Sequence, residues 1–214
     1  MTARWRPPSR LYAILDVSLT ESRSLAPLDI LDVWISAGVR LIQIRAKHMG
    51  TGALVALADE AVVRCRAAGA TLIVNDRADV AVMTGAAGVH VGQNDLSPGD
   101  ARRVVGDTAL VGLSTHSDEQ FRAGCKEQVD YLAIGPVFPT HTKDAPDPVV
   151  GVEGLKRAAA IAATSGVPVV AVGGMTLSRA RAALEAGAEA VAVISDLMTG
   201  DVEGRAREYL RALA

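Results

Sequence analysis

The chain has 214 residues, 50% hydrophobic and 21% charged, with a formal net charge of −2. That is the balance of an ordinary globular protein, and it gives no electrostatic case for nucleic-acid or membrane-surface binding, so any cationic site has to be local. No window approaches the roughly 18 uninterrupted apolar residues of a spanning helix. No leader pattern is visible, and Cys65 and Cys125, without CxxC spacing, read as reduced side chains in packed helices; a cytoplasmic location is expected.

Met1 to Arg10 is basic, carries Pro7-Pro8 and reads as a flexible arm. From Leu11 onward the chain reads as one catalytic domain, residues 11–214, of apolar runs alternating with helical stretches. The first run, Leu11–Val17, predicts a strand. The second, Val39–Ile44, follows a helix stop at Ala37-Gly38 and ends in Gln43-Ile44-Arg45-Ala46-Lys47. Alternation puts Leu41, Gln43 and Arg45 on one face and Ile42 and Ile44 on the other. The isoleucines suit a helix-facing layer, which turns Gln43, Arg45 and then Lys47 toward the interior and its mouth. An inward arginine costs several kcal/mol unless a counter-charge meets it. It therefore serves either an internal ion pair or an anion clamp, and two cations beside an amide favour the clamp.

A helix stop at Ala68-Gly69 precedes the third run, Thr71–Val74, which ends in Asn75-Asp76-Arg77. The fourth, Gly88–Val91, ends in Gly92-Gln93-Asn94-Asp95. Asp76 and Asp95 thus end consecutive strands, whose axes should lie about 4.8 Å apart. Two carboxylates there suit Mg2+, which takes one or two carboxylates plus substrate phosphate oxygens; helix capping is the plain alternative for each. Asn75 would offer an amide to a polar heterocycle or hold the aspartates in place. His90, inside a strand, reads as packed, and His116 stays open near the rim.

Ser97-Pro98 marks a helix start. The fifth run, Leu110–Leu113, leads into Ser114-Thr115-His116, and Ser117 to Gln120 reads as a capping box. After the sixth, Tyr131–Ile134, come Gly135-Pro136 and one long loop, about Phe138 to Val150. It holds Thr140-His141-Thr142-Lys143, two hydroxyls and an ammonium that could close over a phosphate, or a merely solvated loop. The seventh run, Val167–Val172, ends in Gly173-Gly174, and the eighth, Ala190–Ile194, in Ile194-Ser195, after a helix stop at Ala186-Gly187. A last helix covers about Val202 to Leu213. Eight such units predict a compact (β/α)8 TIM barrel, with its active site at the C-terminal ends of the strands. The loops after strands seven and eight of such barrels often hold a phosphate through backbone amides; a plain turn is the alternative for the glycine pair.

These residues resemble the thiamine phosphate synthase family over essentially the whole chain from Leu11. QxRxK stands as Gln43 to Lys47, Asn-Asp as Asn75-Asp76, GQxD as Gly92 to Asp95, the serine after strand five as Ser114, and GPVFPTxTK as Gly135 to Lys143. The resemblance implies that Gln43, Arg45, Lys47, Asn75, Ser114 and Lys143 hold hydroxymethylpyrimidine diphosphate, with Arg45, Lys47, Ser114 and Lys143 catalytic. It implies Mg2+ on Asp76 and Asp95, and a thiazole phosphate on Thr140, His141, Thr142, Gly174, Ile194 and Ser195. The implied reaction is a dissociative substitution giving thiamine phosphate and diphosphate, with small-molecule substrates as partners, no nucleic acid and no membrane, and the oligomeric state left open. Two features depart from the family pattern: Ala46 stands where many relatives carry an acidic residue, and Asp144 to Val150 is acidic and proline-rich. The rival readings are a thiazole tautomerase-like isomerase, whose relatives tend to carry His where this chain has Pro136, a phosphosugar isomerase barrel, and a non-catalytic ligand-sensing barrel.

Overall fold

A computed structural model describes residues 5–140 and 147–214. All eight apolar runs are strands: β1 Leu11–Asp16, β2 Leu41–Arg45, β3 Thr71–Asn75, β4 Gly88–Val91, β5 Leu110–Thr115, β6 Tyr131–Ile134, β7 Val169–Val172 and β8 Ala190–Val193. Neighbours pair in parallel and β8 pairs with β1, so the expected barrel is closed. Around it run α1 Val17–Ser22, α2 Pro27–Ala37, α3 Thr51–Ala67, α4 Ala78–Thr84, α5 Pro98–Val105, α6 Asp118–Gly124, α7 Gly151–Ser165, α8 Leu177–Glu185 and α9 Val202–Ala212, with a 3-10 helix at Ser195–Met198. The six-residue α1 and the 3-10 helix are additions to the sequence expectation; neither is long enough to show a helical period.

Strand ends differ from expectation for local reasons. Val39 is not in β2 because its N–H closes the end of α2 on the Trp34 carbonyl at 3.0 Å. Before β7, Pro168 has no N–H to donate to a ladder. β5 runs on to Thr115 because Ser114 and Thr115 stay in register with Ala133 and Ile134. The helix signals act as read. Ser97 Oγ accepts from the Asp100 N–H and Ser117 Oγ from the Gln120 N–H. The reciprocal arm of the expected box reaches one residue further back, Gln120 Oε1 accepting from the His116 N–H at 2.7 Å.

The core has two shells. Ile42, Ile44, Leu72, Val74, Val89, Val91, Leu132 and Ile134 pack outward against the helices. Tyr12, Ile14, Leu41, Ile73, Tyr131, Ala133, Val170, Ala190 and Ala192 fill the barrel itself. Small residues face large ones there. Gly112 lies in register between His90 and Tyr131, whose rings stack across it with centroids 5.5 Å apart. A Cβ on Gly112 would fall 2.1 Å from the Tyr131 ring and 2.5 Å from His90 Nδ1. Gly112→Ala is therefore expected to destabilise the fold by about 2 kcal/mol, the scale of overpacking a close-packed core. Urea unfolding would measure it.

Residues 5–10, expected to belong to a flexible arm, are tied down instead. Trp5 packs on Tyr131 with ring centroids 5.3 Å apart, Arg6 pairs with Glu189, and the Arg10 carbonyl accepts from the Val191 N–H at 2.8 Å. A tryptophan covers the apolar end of the barrel interior; the basic composition of the arm concealed that. Among the described residues, no helix is long and apolar enough to cross a membrane.

Candidate active site

Barrel closure brings the strand-end clusters onto one rim. Arg45, Lys47, Asn75, Asp76, Asp95 and Ser114 line a single polar hollow of about 530 Å3. Arg45, Asn75 and Ser114 also line a narrower, mostly apolar hollow below it, together with Gln43, Ile194 and Thr140. Gly174 and Ser195 line a third, open cleft of about 700 Å3 on the far side, and Thr140 reaches into both of these last two. The expected diphosphate residues thus meet in one place. The expected thiazole-phosphate residues divide, Ile194 facing the inner hollow and Ser195 the outer cleft. His141, Thr142 and Lys143 lie outside the described residues.

Gln43 is 2% exposed, points inward as alternation requires, and donates from Nε2 to the Tyr12 hydroxyl at 2.9 Å. Arg45 meets a counter-charge that the sequence reading left unnamed: Nη1 pairs with Asp16 Oδ2 at the end of β1. Asp16 is 3% exposed and its other oxygen accepts from the Leu19 N–H at 3.1 Å, capping α1. The internal ion pair and the clamp are therefore not exclusive, since Arg45 is paired on one side and lines both hollows on the other. One carboxylate thus orients the guanidinium and caps a helix.

Asp76 sits at φ +63, a left-handed conformation that Asp and Asn tolerate best among residues other than glycine. Its N–H donates to the His90 carbonyl at 2.7 Å, and its carboxylate pairs with Lys47 Nζ at 3.1 Å. Asp95 Oδ2 accepts from the Gly92 N–H at 2.8 Å. Neither Asp76 nor Asp95 caps the following helix: the residue capping α4 is Arg77, and α5 is capped by Ser97. The two carboxyls line the same hollow. Burial, and then the Asp95 carboxyl, push the Asp76 carboxyl above the usual carboxylate range, while Lys47 pulls it back.

That arrangement fits Mg2+. A half-buried carboxyl whose ionisation is disfavoured by burial and by the neighbouring Asp95 is relieved by a divalent cation, and the donors are all hard oxygens. Among the described residues, no group of three or more His, Cys, Asp or Glu side chains could hold a metal. The ion would keep waters and take substrate oxygens, as Mg2+ habitually does.

The outer cleft is lined by two arginines that the sequence reading missed, Arg23 and Arg179. Arg179 donates to the Gly174 carbonyl at 2.8 Å and lies over the Phe138 ring. The glycine pair has a structural reason of its own. Gly173 and Gly174 have φ +96 and +61, and a Cβ on Gly174 would fall 2.5 Å from the Pro139 carbonyl. The pair lets the chain after β6 run against the end of β7. His116 donates from Nδ1 to the Gly135 carbonyl at 2.6 Å and has Asp147 at 3.4 Å.

The family model described as thiamine monophosphate synthase matches residues 11–197. The chain belongs to that family. It is 45% identical to a thiamine-phosphate synthase of Koribacter versatilis over 206 residues, 95% of each chain, and 37% identical to one from Myxococcus xanthus, covering 99% of this chain and 96% of the other. Among solved structures, a thiamine phosphate pyrophosphorylase from Pyrococcus furiosus superposes with a TM-score of 0.84 at 30% identity over 95% of both chains. As a thiamine monophosphate synthase family member the chain is a transferase of thiamine biosynthesis. Among the described residues, Gln43, Arg45, Lys47, Asn75, Asp76, Asp95 and Ser114 of the motifs that carried the resemblance line the two hollows at the barrel mouth. Asp16, Arg23 and Arg179, by contrast, lie outside every such motif, so nothing in the sequence signalled them.

Proposed function

We propose that this transferase joins hydroxymethylpyrimidine diphosphate to a thiazole phosphate, forming thiamine phosphate and releasing diphosphate. The observation that supports it most is the single hollow lined by Arg45, Lys47, Asp76 and Asp95 directly above an apolar one lined by Gln43, Asn75 and Ser114. A diphosphate fits the upper hollow by charge, and a flat heterocycle fits the lower by its amide and hydroxyl groups.

In this reading the pyrimidine's CH2–O bond breaks heterolytically and both electrons leave with the diphosphate. The thiazole nitrogen lone pair then forms the new C–N bond. No protein nucleophile and no redox partner are needed; what lowers the barrier is stabilisation of the departing charge. Arg45, held by Asp16, presents a fixed guanidinium to that charge. Lys47 gives up its hold on Asp76 in part to do the same, and the family pattern adds Lys143. Gln43, Asn75 and Ser114 orient the ring so that its methylene faces the incoming nitrogen. Mg2+ held by Asp76 and Asp95 would neutralise the diphosphate and make it a better leaving group. The thiazole phosphate would take the outer cleft, with the backbone at Gly174 and Ser195 and the Thr140 hydroxyl as donors.

The test is direct. Mixed with both half-substrates and Mg2+, the protein is expected to yield thiamine phosphate and diphosphate in equal amounts. Binding of both halves without turnover would favour a sensor, and turnover of the thiazole alone an isomerase.

A further inference from the structure

A hydrogen-bonded chain crosses the barrel interior and ends in the cavity on both sides. Gln43 Nε2 donates to Tyr12 Oη at 2.9 Å, Tyr12 and Tyr131 share a bond at 2.9 Å, and Tyr131 Oη meets His90 Nδ1 at 3.0 Å. His90 Nε2 meets Ser114 Oγ at 2.8 Å. Two of the chain's three tyrosines are spent on it, both 1% exposed or less. A barrel core has no packing need for five linked polar groups, since aliphatic residues fill that space in most such barrels.

The direction of the chain follows from counting hydrogens. An amide NH2 can only donate, so Tyr12 Oη is an acceptor from Gln43. The Tyr12 hydrogen then needs an acceptor of its own, and among the described residues its one remaining partner is Tyr131. Tyr131 in turn must pass its hydrogen to His90 Nδ1. If Tyr131 donated to Tyr12 instead, a hydroxyl hydrogen would be left unpaired in a fully buried place, which native structures avoid. Burial pushes both phenols above their usual range, so each keeps its hydrogen at working pH. With Nδ1 accepting, neutral His90 carries its hydrogen on Nε2 and donates to Ser114 Oγ. The Ser114 hydroxyl hydrogen is then free to turn to the cavity, and Gln43 keeps Oε1 for the cavity as an acceptor.

We infer that Tyr12 and Tyr131 are positioning residues that fix, through one buried relay, which cavity-facing group accepts and which donates. Gln43 presents an acceptor and Ser114 a donor, which selects a ring carrying an amino hydrogen on one side and a lone pair on the other. The ligand's identity rests on the pyrimidine reading proposed above; the relay itself does not. Gly112, which lets His90 and Tyr131 stack, is part of the same device.

The experiment is nitrogen-15 NMR on histidine-labelled full-length protein, with the His90 signals assigned by their loss in His90→Gln. The expected result is a hydrogen on Nε2. A hydrogen on Nδ1 would mean that the chain runs the other way, with Ser114 as acceptor, and would overturn the inference whatever the enzyme's substrate proves to be. Tyr131→Phe removes the donor to Nδ1 and should leave a mixture of His90 tautomers. Tyr12→Phe should leave the tautomer unchanged while freeing the Gln43 amide. Each should raise the Kd for hydroxymethylpyrimidine diphosphate about tenfold, the scale of one lost neutral hydrogen bond. Because Tyr131 acts through Ser114, adding Tyr131→Phe to Ser114→Ala should bring little further loss. Fully additive losses would mean a merely structural tyrosine and would sink the positioning role. If the parent does not bind the pyrimidine, the substrate reading fails and the NMR result still decides the relay.

Discussion

Arg45→Ala is expected to lose both stability and catalysis, and the two losses can be separated. The guanidinium is 17% exposed and its partner Asp16 5%, so truncation leaves a nearly buried carboxylate without its counter-charge. Breaking such a pair from one side costs about 3 kcal/mol. For a chain of this size that is roughly 6–12 °C in Tm, readable by calorimetry. Catalysis should fall by about 100-fold, the scale of losing one preorganised contact to a developing charge. The discriminating variant is the double substitution Arg45→Met with Asp16→Asn. An asparagine oxygen can still cap α1 at the Leu19 N–H, and an apolar side chain opposite it removes the charge imbalance, so Tm should recover most of the way. Activity should not recover. A double variant that regains both would mean that Arg45 serves the fold alone.

Asp76→Asn and Asp95→Asn should each lower coupling at least about 100-fold, assayed as released diphosphate. Asparagine is the right probe at position 76 because it accepts the left-handed backbone there better than alanine would. Thermal stability gives a second readout that needs no turnover. The Asp76 carboxyl is held above its ordinary range by burial and by Asp95. A group raised in the folded state stabilises below the unfolded value, and that contribution disappears as pH rises through the folded one. At neutral pH and without metal the parent therefore bears the cost of an ionised Asp76 carboxylate that burial and Asp95 disfavour. Asp76→Asn removes that cost and gives up a pair with a lysine that is 45% exposed, a small loss. In chelator at pH 7 its Tm should equal or exceed the parent's. Mg2+ at about 100 times its Kd should add about 2.7 kcal/mol to the parent and nothing comparable to either variant. Equal Mg2+ stabilisation of parent and variants would remove the metal assignment.

Much of the fold was legible because a (β/α)8 barrel writes itself locally. Each strand is a short apolar run, two helix starts carry a capping hydroxyl, Ser97 and Ser117, and several helix stops carry a glycine such as Gly38 or Gly187, both at positive φ. The rim was legible for the same reason: in a closed parallel barrel every strand points the same way, so a residue's place in its own strand already says which end of the barrel it occupies. Gln43, Arg45, Asp76 and Asp95 needed nothing more than that and the alternation of side chains.

The sequence by itself determined the elements, the face each residue shows and the end of the barrel where the chemistry gathers. Tertiary structure alone decided who meets whom. Asp16 reaches Arg45 because β1 and β2 pair in the register that sets those two side by side, and Tyr12 reaches Tyr131 across 119 residues of chain because the barrel closes. Trp5 reads as part of a loose basic arm until the open end of the barrel is there to be covered. Periodicity is a property of neighbours along the chain, whereas pairing depends on strand register, barrel closure and the space left by small residues such as Gly112.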